Sequence, residues 1–309
     1  MTIQEKLKII QKNTGFNQTE LSQKLGVSYV SFSKWWNGHA LPREKALNSI
    51  DALFLEVTGQ KTIPEDYLSA KKQNLLNYSK KHSNIIKEIL SSPDIRDQFM
   101  LKLTYHSNGI EGSTLTENDT AAILFDNVAL PNKTLIEQLE AKNHQTALLY
   151  LFNHIAKNGN INETLILKLH SILMNGIYED AGFYRRHSVR IVGADMPTAN
   201  YLKVPELMKN LVKDINKIKK DSISHTSIIH SVFEKIHPFP DGNGRIGRLL
   251  MNAMLLKTNI APAVIHQKNK RLYYTYLNKS QTKDDFSQLE DFICDAILDG
   301  FKILERNLK

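Results

Sequence analysis

The stretch from His237 to Arg248, read HPFPDGNGRIGR, constrains this chain more than any other, because it is a loop set between two helices. Before it, Ile228, Ile229, Val232, Phe233 and Ile236 recur at helical spacing; after it, IGRLLMNAMLLK reads as a second apolar helix. On that second helix Arg245 and Arg248 lie three residues apart, on one face. The run Gly242-Asn243-Gly244 opens into the helix, so its backbone N–H groups and the positive helix end suit a phosphate. The two arginines add fixed charge that can bind phosphate oxygens in a bidentate way. Asp241 is a hard oxygen ligand of the kind that holds Mg²⁺. His237 is the one group here whose ordinary pKa suits proton removal near neutrality. Together these residues describe a phosphate-transfer site with a histidine base.

The same twelve residues fit, at every defined position, the signature His-Pro-Phe-x-Asp/Glu-Gly-Asn-Gly-Arg-x-x-Arg, and so the stretch resembles the Fic domain. Most Fic enzymes move AMP from ATP onto a protein hydroxyl of Tyr, Ser or Thr. The resemblance implies that His237 deprotonates the target hydroxyl and that Asp241 binds the metal, Mg²⁺ with Mn²⁺ as the alternative ion. It implies further that Gly242, Asn243 and Gly244 cradle the α- and β-phosphates, that Arg245 clamps phosphate and that Arg248 meets the γ-phosphate. The kinase-like Doc proteins depart from this pattern within Gly-Asn-Gly and at the final Arg. This chain keeps both, which favours nucleotidyl transfer.

The rest of the chain frames that site. At 309 residues, 41% hydrophobic and 23% charged, the composition is that of an ordinary soluble protein, long enough for two domains. A single cysteine, Cys294, excludes an intramolecular disulfide framework and fits a reducing cytoplasm; its apolar helical neighbours make it a core residue. No apolar run approaches the roughly 20 residues of a membrane span, and the first turns, with Glu5, Lys6 and Lys8, are no signal peptide. The net charge of +8 permits an acidic partner without naming one.

Residues 1–57 read as a small helical domain. An amphipathic helix carries Leu7, Ile9 and Ile10. A helix capped by Asn17 then meets a Gly26-Val27 turn and a new cap at Ser28. Tyr29 to Trp36 makes the third helix, and a fourth opens near Leu41-Pro42. A short helix, a turn and a following helix describe helix-turn-helix geometry. The stretch resembles phage-repressor-like domains, which puts Gln18, Ser28, Tyr29, Ser31 and Lys34 toward DNA. Seven Lys/Arg against five Asp/Glu in residues 1–60 is thin charge for a phosphate-dominated interface, so a protein-contact role is the alternative. Thr58 to Asp66 reads as the boundary, with connecting helices to residue 94.

Residues 95–309 then form the Fic region. Within LKLTYHSNGIEGSTLT, a helix ends near Ser107-Asn108-Gly109. Ser107-x-x-x-Glu111-Gly112 also resembles the family's inhibitory motif, on a helix over about residues 95–112. The resemblance pairs Glu111 with Arg248, where a carboxylate and a phosphate compete for one guanidinium fork. His144 and His170 read as packed or surface histidines rather than ligands, and His225, His230 and His237 lack a His-Glu-x-x-His zinc pattern. Alternation from Gly182 through Ala194 suggests the chain's one β-hairpin. In Fic enzymes the matching segment is a flap that holds the target by strand addition, which singles out Ile191, Val192, Gly193 and Ala194. The adjacent Tyr273 and Tyr274 are candidates to stack on or cover adenine.

The expected fold is all-α, a Fic-type helical core with one hairpin flap after a small helix-turn-helix domain. The expected function is a cytoplasmic protein adenylyltransferase acting on another protein or on itself, self-inhibited through Glu111, with homo-oligomers compatible. Three alternatives stay open: a Fic enzyme of another donor or of de-AMPylating direction, a DNA-binding regulator whose Fic core senses nucleotide, and a structural helical adaptor.

Overall fold

Every regular element is helical among the residues that the computed structural model describes, namely 2–58, 63–189, 197–217 and 219–305. Two units separate near residue 62. In the first, α1 (Ile3–Thr14), α2 (Gln18–Lys24), α3 (Tyr29–Trp36) and α4 (Glu44–Thr58) follow the caps that the sequence supplies. Thr2 with Glu5, and Asn17 with Glu20, form reciprocal capping boxes, and the Ser28 hydroxyl accepts the Ser31 N–H. The fourth helix starts at Glu44, two residues past Pro42. Leu7, Ile10, Leu21, Phe32, Trp35, Ile50, Leu53 and Phe54 make its core, so Trp35 is buried and the adjacent Trp36 is only partly covered.

The second unit contains α5 (Glu65–Ser79), α6 (Ile85–Ser91), α7 (Pro93–Glu111), α8 (Glu117–Ala121, running into a π-turn at Ala122–Asp126) and α9 (Leu135–Ala156). It continues with α10 (Glu163–Leu173), α11 (Val204–Ile215), α12 (Ser222–Ile236), α13 (Asn243–Lys257), α14 (Lys270–Lys283) and α15 (Ser287–Leu304). The residues expected to be connecting helices are part of this core. Leu68, Leu75, Ile85, Ile86 and Ile89 are buried, α5 lies along α15, and Lys71 reaches Asp291 at 2.6 Å. Cys294 is buried in α15, where desolvation pushes its thiol up to about 12.

At the centre lies α13, buried on all sides from Arg245 to Leu256, as a helix that is apolar nearly all round must be. Around it pack α12, α9, α7 and α10. This positions the site. The loop 237–242 joins the C-terminal end of α12 to the N-terminal end of α13, and the C-terminal turn of α7 comes alongside. The expected hairpin is not formed by the described residues: 182–189 and 197–200 are turns and irregular chain, and Ile191, Val192, Gly193 and Ala194 lie outside them. No helix among the described residues is long and apolar enough to cross a membrane.

One contact tests this packing. Val264 donates its N–H to the Ala296 carbonyl at 2.9 Å, and a Cβ on Gly300 of α15 would come within 2.0 Å of the Pro262 carbonyl oxygen. Backbone gives way poorly, so Gly300→Ala is expected to destabilise the protein by about 1–3 kcal/mol. Urea denaturation should show a lower midpoint with an unchanged slope.

Candidate active site

The loop 237–242 is laced from within. Asn243 is 3% exposed, and its carboxamide oxygen accepts the Phe239 N–H while its nitrogen donates to the Phe239 carbonyl, both at 2.8 Å. Its side chain is therefore a brace of the loop. His170 lies flat against Phe239, with ring centroids 3.8 Å apart. Burial draws its pKa down to about 4. The neutral ring accepts the Gly182 N–H at Nδ1 and donates from Nε2 to the Asp241 carbonyl. Of the packed or surface places the sequence left open, His170 takes the packed one, against Phe239 of the loop.

His237 closes α12 in the left-handed region, at φ 52°. For a residue with a Cβ this conformation is uncommon and persists where surrounding structure over-determines it. The His237 N–H donates to the Phe233 carbonyl at 3.0 Å, and Nδ1 lies 3.3 Å from the Glu234 carbonyl. A carbonyl can only accept, so Nδ1 carries the hydrogen and Nε2 keeps a lone pair. Burial lowers the His237 pKa, and the Glu234 carbonyl opposes that shift; Arg185 lowers it further, while Glu111 and Asp241 raise it. The ring is neutral at neutral pH, the state a general base requires.

Gly242, at φ 75°, is the N-cap of α13 and offers no side chain to the first-turn N–H groups. Glu111 reaches this mouth from the end of α7. Its Oε1 accepts from Arg248 Nη2 at 2.6 Å and would lie 2.3 Å from a Cβ on Gly244, so only glycine leaves it room. Arg248 also donates from Nε to the Ser107 hydroxyl and from Nη2 to the Ser107 carbonyl, at 2.9 and 3.0 Å. Both residues of the Ser-x-x-x-Glu motif thus converge on one guanidinium. Arg245, 2% exposed, is held at Nη1 by Glu140 at 2.5 Å and has Asp241 Oδ2 at 3.6 Å.

Tyr273 departs from expectation. It is fully buried, and its hydroxyl lies 2.6 Å from His230 Nε2, so as placed it offers no face to a nucleotide. Its periodicity is that of the core and its hydroxyl has a core partner, which is why the aromatic pair misled. Tyr274 is 38% exposed. In the first unit Ser28, Tyr29 and Lys34 are exposed, Gln18 and Ser31 half-buried, and Ser28 and Ser31 spend their hydroxyls on a shared bond that caps α3.

Three contributors escaped the sequence. Glu140 is far from Arg245 in sequence and carried no signal. Arg185 stood only at the start of the expected hairpin, yet its Nε donates to the His237 carbonyl at 2.7 Å. Glu234 had a legible signal, a carboxylate in the apolar run SVFEKI three residues before His237. It is buried, its Oε1 has no hydrogen-bond partner among the described residues, and burial pushes its pKa up to about 8 against the pull of Arg248, with Glu111 adding to the rise.

No group of three or more His, Cys, Asp and Glu side chains among the described residues forms a protein-only metal cage. The lone carboxylate of Asp241 is half-exposed, with Oδ1 on the Gly242 N–H at 2.6 Å. That suits Mg²⁺, which is commonly held by one or two carboxylates together with substrate phosphates and water.

Comparison with known proteins agrees with this geometry. Residues 160–255 match the model of the Fic/DOC family. The chain is 34% identical to the protein adenylyltransferase Fic of Nematostella vectensis, across 58% of this chain and 43% of that protein. It is 30% identical to the Drosophila melanogaster protein of the same name, across 62% and 39%. The chain therefore aligns with about two fifths of the length of these curated relatives. Among solved structures, Fic-1 (residues 134–508) of C. elegans superposes with a TM-score of 0.68 at 20% identity, over 94% of this chain and 85% of that one. A Fic domain containing signaling protein of Bacteroides thetaiotaomicron gives 0.66 at 22%, over 76% and 97%. The fold is that of Fic-domain proteins, and the all-helical architecture expected from the sequence holds.

Glu234 supplies a test of the buried site. Its folded pKa lies above its ordinary 4.5, so the unfolded chain releases that proton first and stability falls as pH rises from about 4.5 to about 8. Glu234→Gln removes this dependence. Denaturant titrations at pH 5 and pH 8 should show the variant gaining on the wild type by about 1–3 kcal/mol at the higher pH.

Proposed function

We propose that this protein is an adenylyltransferase that moves AMP from ATP to a hydroxyl side chain of a target protein or of itself. The observation that carries the reading is the convergence of three parts on one loop: a neutral His237 with Nε2 available, the uncapped N-terminus of α13, and Arg248 beside it. The match of residues 160–255 to the Fic/DOC family, and the resemblance to proteins named adenylyltransferase, support the same reading.

The chemistry is an in-line displacement. His237 Nε2 accepts the proton of the target hydroxyl as its oxygen attacks the α-phosphorus; the bond to the bridging oxygen breaks and pyrophosphate leaves. The first-turn N–H groups of α13 face the α- and β-phosphates. Arg245 supplies charge to them, its orientation set by Glu140. Asp241 would hold Mg²⁺, which neutralises phosphate charge when bound. Positioning and electrostatics by preorganised groups supply most of the rate. Residues 191–194 are the proposed docking segment for the target backbone, and Tyr274 remains the candidate to cover the base.

Glu111 is the brake. Its carboxylate takes up the Arg248 fork and stands over Gly244, where phosphate oxygens would go. Two anions at one guanidinium exclude each other, so ATP binds in a productive pose only when α7 gives way. Release of this contact is the proposed control point.

The first unit is proposed to bind DNA through α3. Exposed Ser28, Tyr29 and Lys34 favour this reading, with Gln18 and Ser31 at its edge.

Intact-protein mass spectrometry after incubation with ATP and Mg²⁺ tests the transferase. Glu111→Gly should gain AMP mass that wild type lacks and that Glu111→Gly/His237→Ala also lacks; an adduct surviving loss of His237 would refute the mechanism. For the first unit, a gel shift should weaken steeply with salt, and Lys34→Ala should weaken it further across all sequences while His237→Ala leaves it unchanged.

A further inference from the structure

Arg185 is 3% exposed, yet no carboxylate bonds it among the described residues. Each of its guanidinium hydrogen bonds goes to a main-chain carbonyl. Nε donates to His237 at 2.7 Å and Nη1 to His187 at 2.9 Å; Nη2 donates to Ala199 and, at 3.4 Å, to Ile236. Its own backbone N–H donates to the Pro238 carbonyl at 2.9 Å. One side chain therefore grips the carbonyls on both sides of the His237 N–Cα–C unit and two positions of the chain that flanks it. A buried cation without a counter-ion is costly, and carbonyl dipoles alone must satisfy it. Such an arrangement is needed where the backbone has to be held in an unfavourable state, and His237 is in one, at φ 52°.

We propose that Arg185 is the positioning residue of the site: it fixes the left-handed backbone of His237, and so the placement of Nε2, for proton transfer. The proposal rests on His237 being the base of the reaction. The strap that carries Arg185 is itself seated on the loop. Gly182 donates its N–H to His170, and the Tyr184 ring packs against Phe239 with centroids 5.6 Å apart. The other braces act elsewhere: Asn243 holds Phe239, and His170 holds the Asp241 carbonyl. Only Arg185 donates to the His237 carbonyl among the described residues.

The position has an electrostatic consequence that a neutral brace would lack. The charged groups acting on His237 are Arg185 from the strap, Glu111 from α7 and Asp241 from the loop, together with the Glu234 carbonyl of α12. Arg185 is the cation of that set and opposes protonation of the ring. Loss of its charge raises the His237 pKa, whereas lysine keeps the charge but cannot reproduce the fork.

Arg185→Met and Arg185→Lys are made in the full chain carrying Glu111→Gly. Three readouts are followed: the His237 ring titration by NMR without nucleotide, the affinity for a non-hydrolysable ATP analogue, and the rate of AMP transfer. With Met, the His237 pKa should rise by about half a unit or more. Transfer should fall about 100-fold, and analogue affinity should change less than about threefold. With Lys, the ring should titrate as in the parent and the rate should recover about tenfold over Met. A Met variant with parental titration and rate, or one losing nucleotide affinity in step with rate, would overturn the proposal. If the Met variant does not fold, the Lys variant decides: a loss of about tenfold with unchanged ring titration supports the assignment, and a parental rate refutes it. If the parent transfers no AMP, the functional reading fails, while the ring titration still tests whether Arg185 acts on His237.

Discussion

A guanidinium carries five N–H donors in one fixed plane, and the arrangement of this site depends on which oxygens those of Arg248 face. In this structure it faces the chain's own: the hydroxyl and carbonyl of Ser107 and the carboxylate of Glu111. The helix that supplies them ends at that carboxylate, and the helix that carries Arg248 begins beside it, capped by Gly242. Under the proposed reading, inhibition and substrate recognition would share these atoms, and the brake would need no second site. Gly244 matters for the same reason, since only a residue without a Cβ lets the Glu111 carboxylate lie over the first turn of α13.

Around that pair the site is built from neutral histidines and braced carbonyls. His144, His170 and His230 are all pulled well below the ordinary histidine range by burial, so none adds charge near neutrality. The positive charge at this end of α13 comes from Arg245, Arg248 and the helix terminus. His237 at the end of α12 is half-buried, and burial lowers its pKa too.

The parts of this structure that were legible in the sequence are those whose meaning is local. Helix caps such as Asn17 and Ser28, the α3 span and the loop between two apolar helices follow from spacing alone. So do the backbone donors of Gly242 to Gly244. The Glu111–Arg248 partnership was legible only through resemblance, because nothing in residues 107–111 announces a partner far along the chain. Long-range partners without a motif, Glu140 and Arg185, were invisible for the same reason. Tyr273 shows the opposite failure. Two adjacent tyrosines beside a nucleotide site invite a stacking role, yet helix geometry turns the first inward to His230. The helices expected to connect the two regions pack along α15, where half-buried Lys71 and Lys72 pair with Asp291 and Glu290, partners that no local pattern announces.

The brace at Asn243 has a bearing on how the protein ages. An asparagine followed by glycine is chemically fragile, because the glycine nitrogen can attack the carboxamide and release ammonia. Here both ends of that carboxamide are bound to Phe239 and the Gly244 nitrogen is fixed in the first turn of a helix, so attack is withheld while the loop keeps its shape. The aspartate left by such a reaction could still accept the Phe239 N–H but would have no hydrogen to give the Phe239 carbonyl. A loop that had reacted would keep one of its two bonds to Phe239 and lose the other, with His237 itself unaltered beside it.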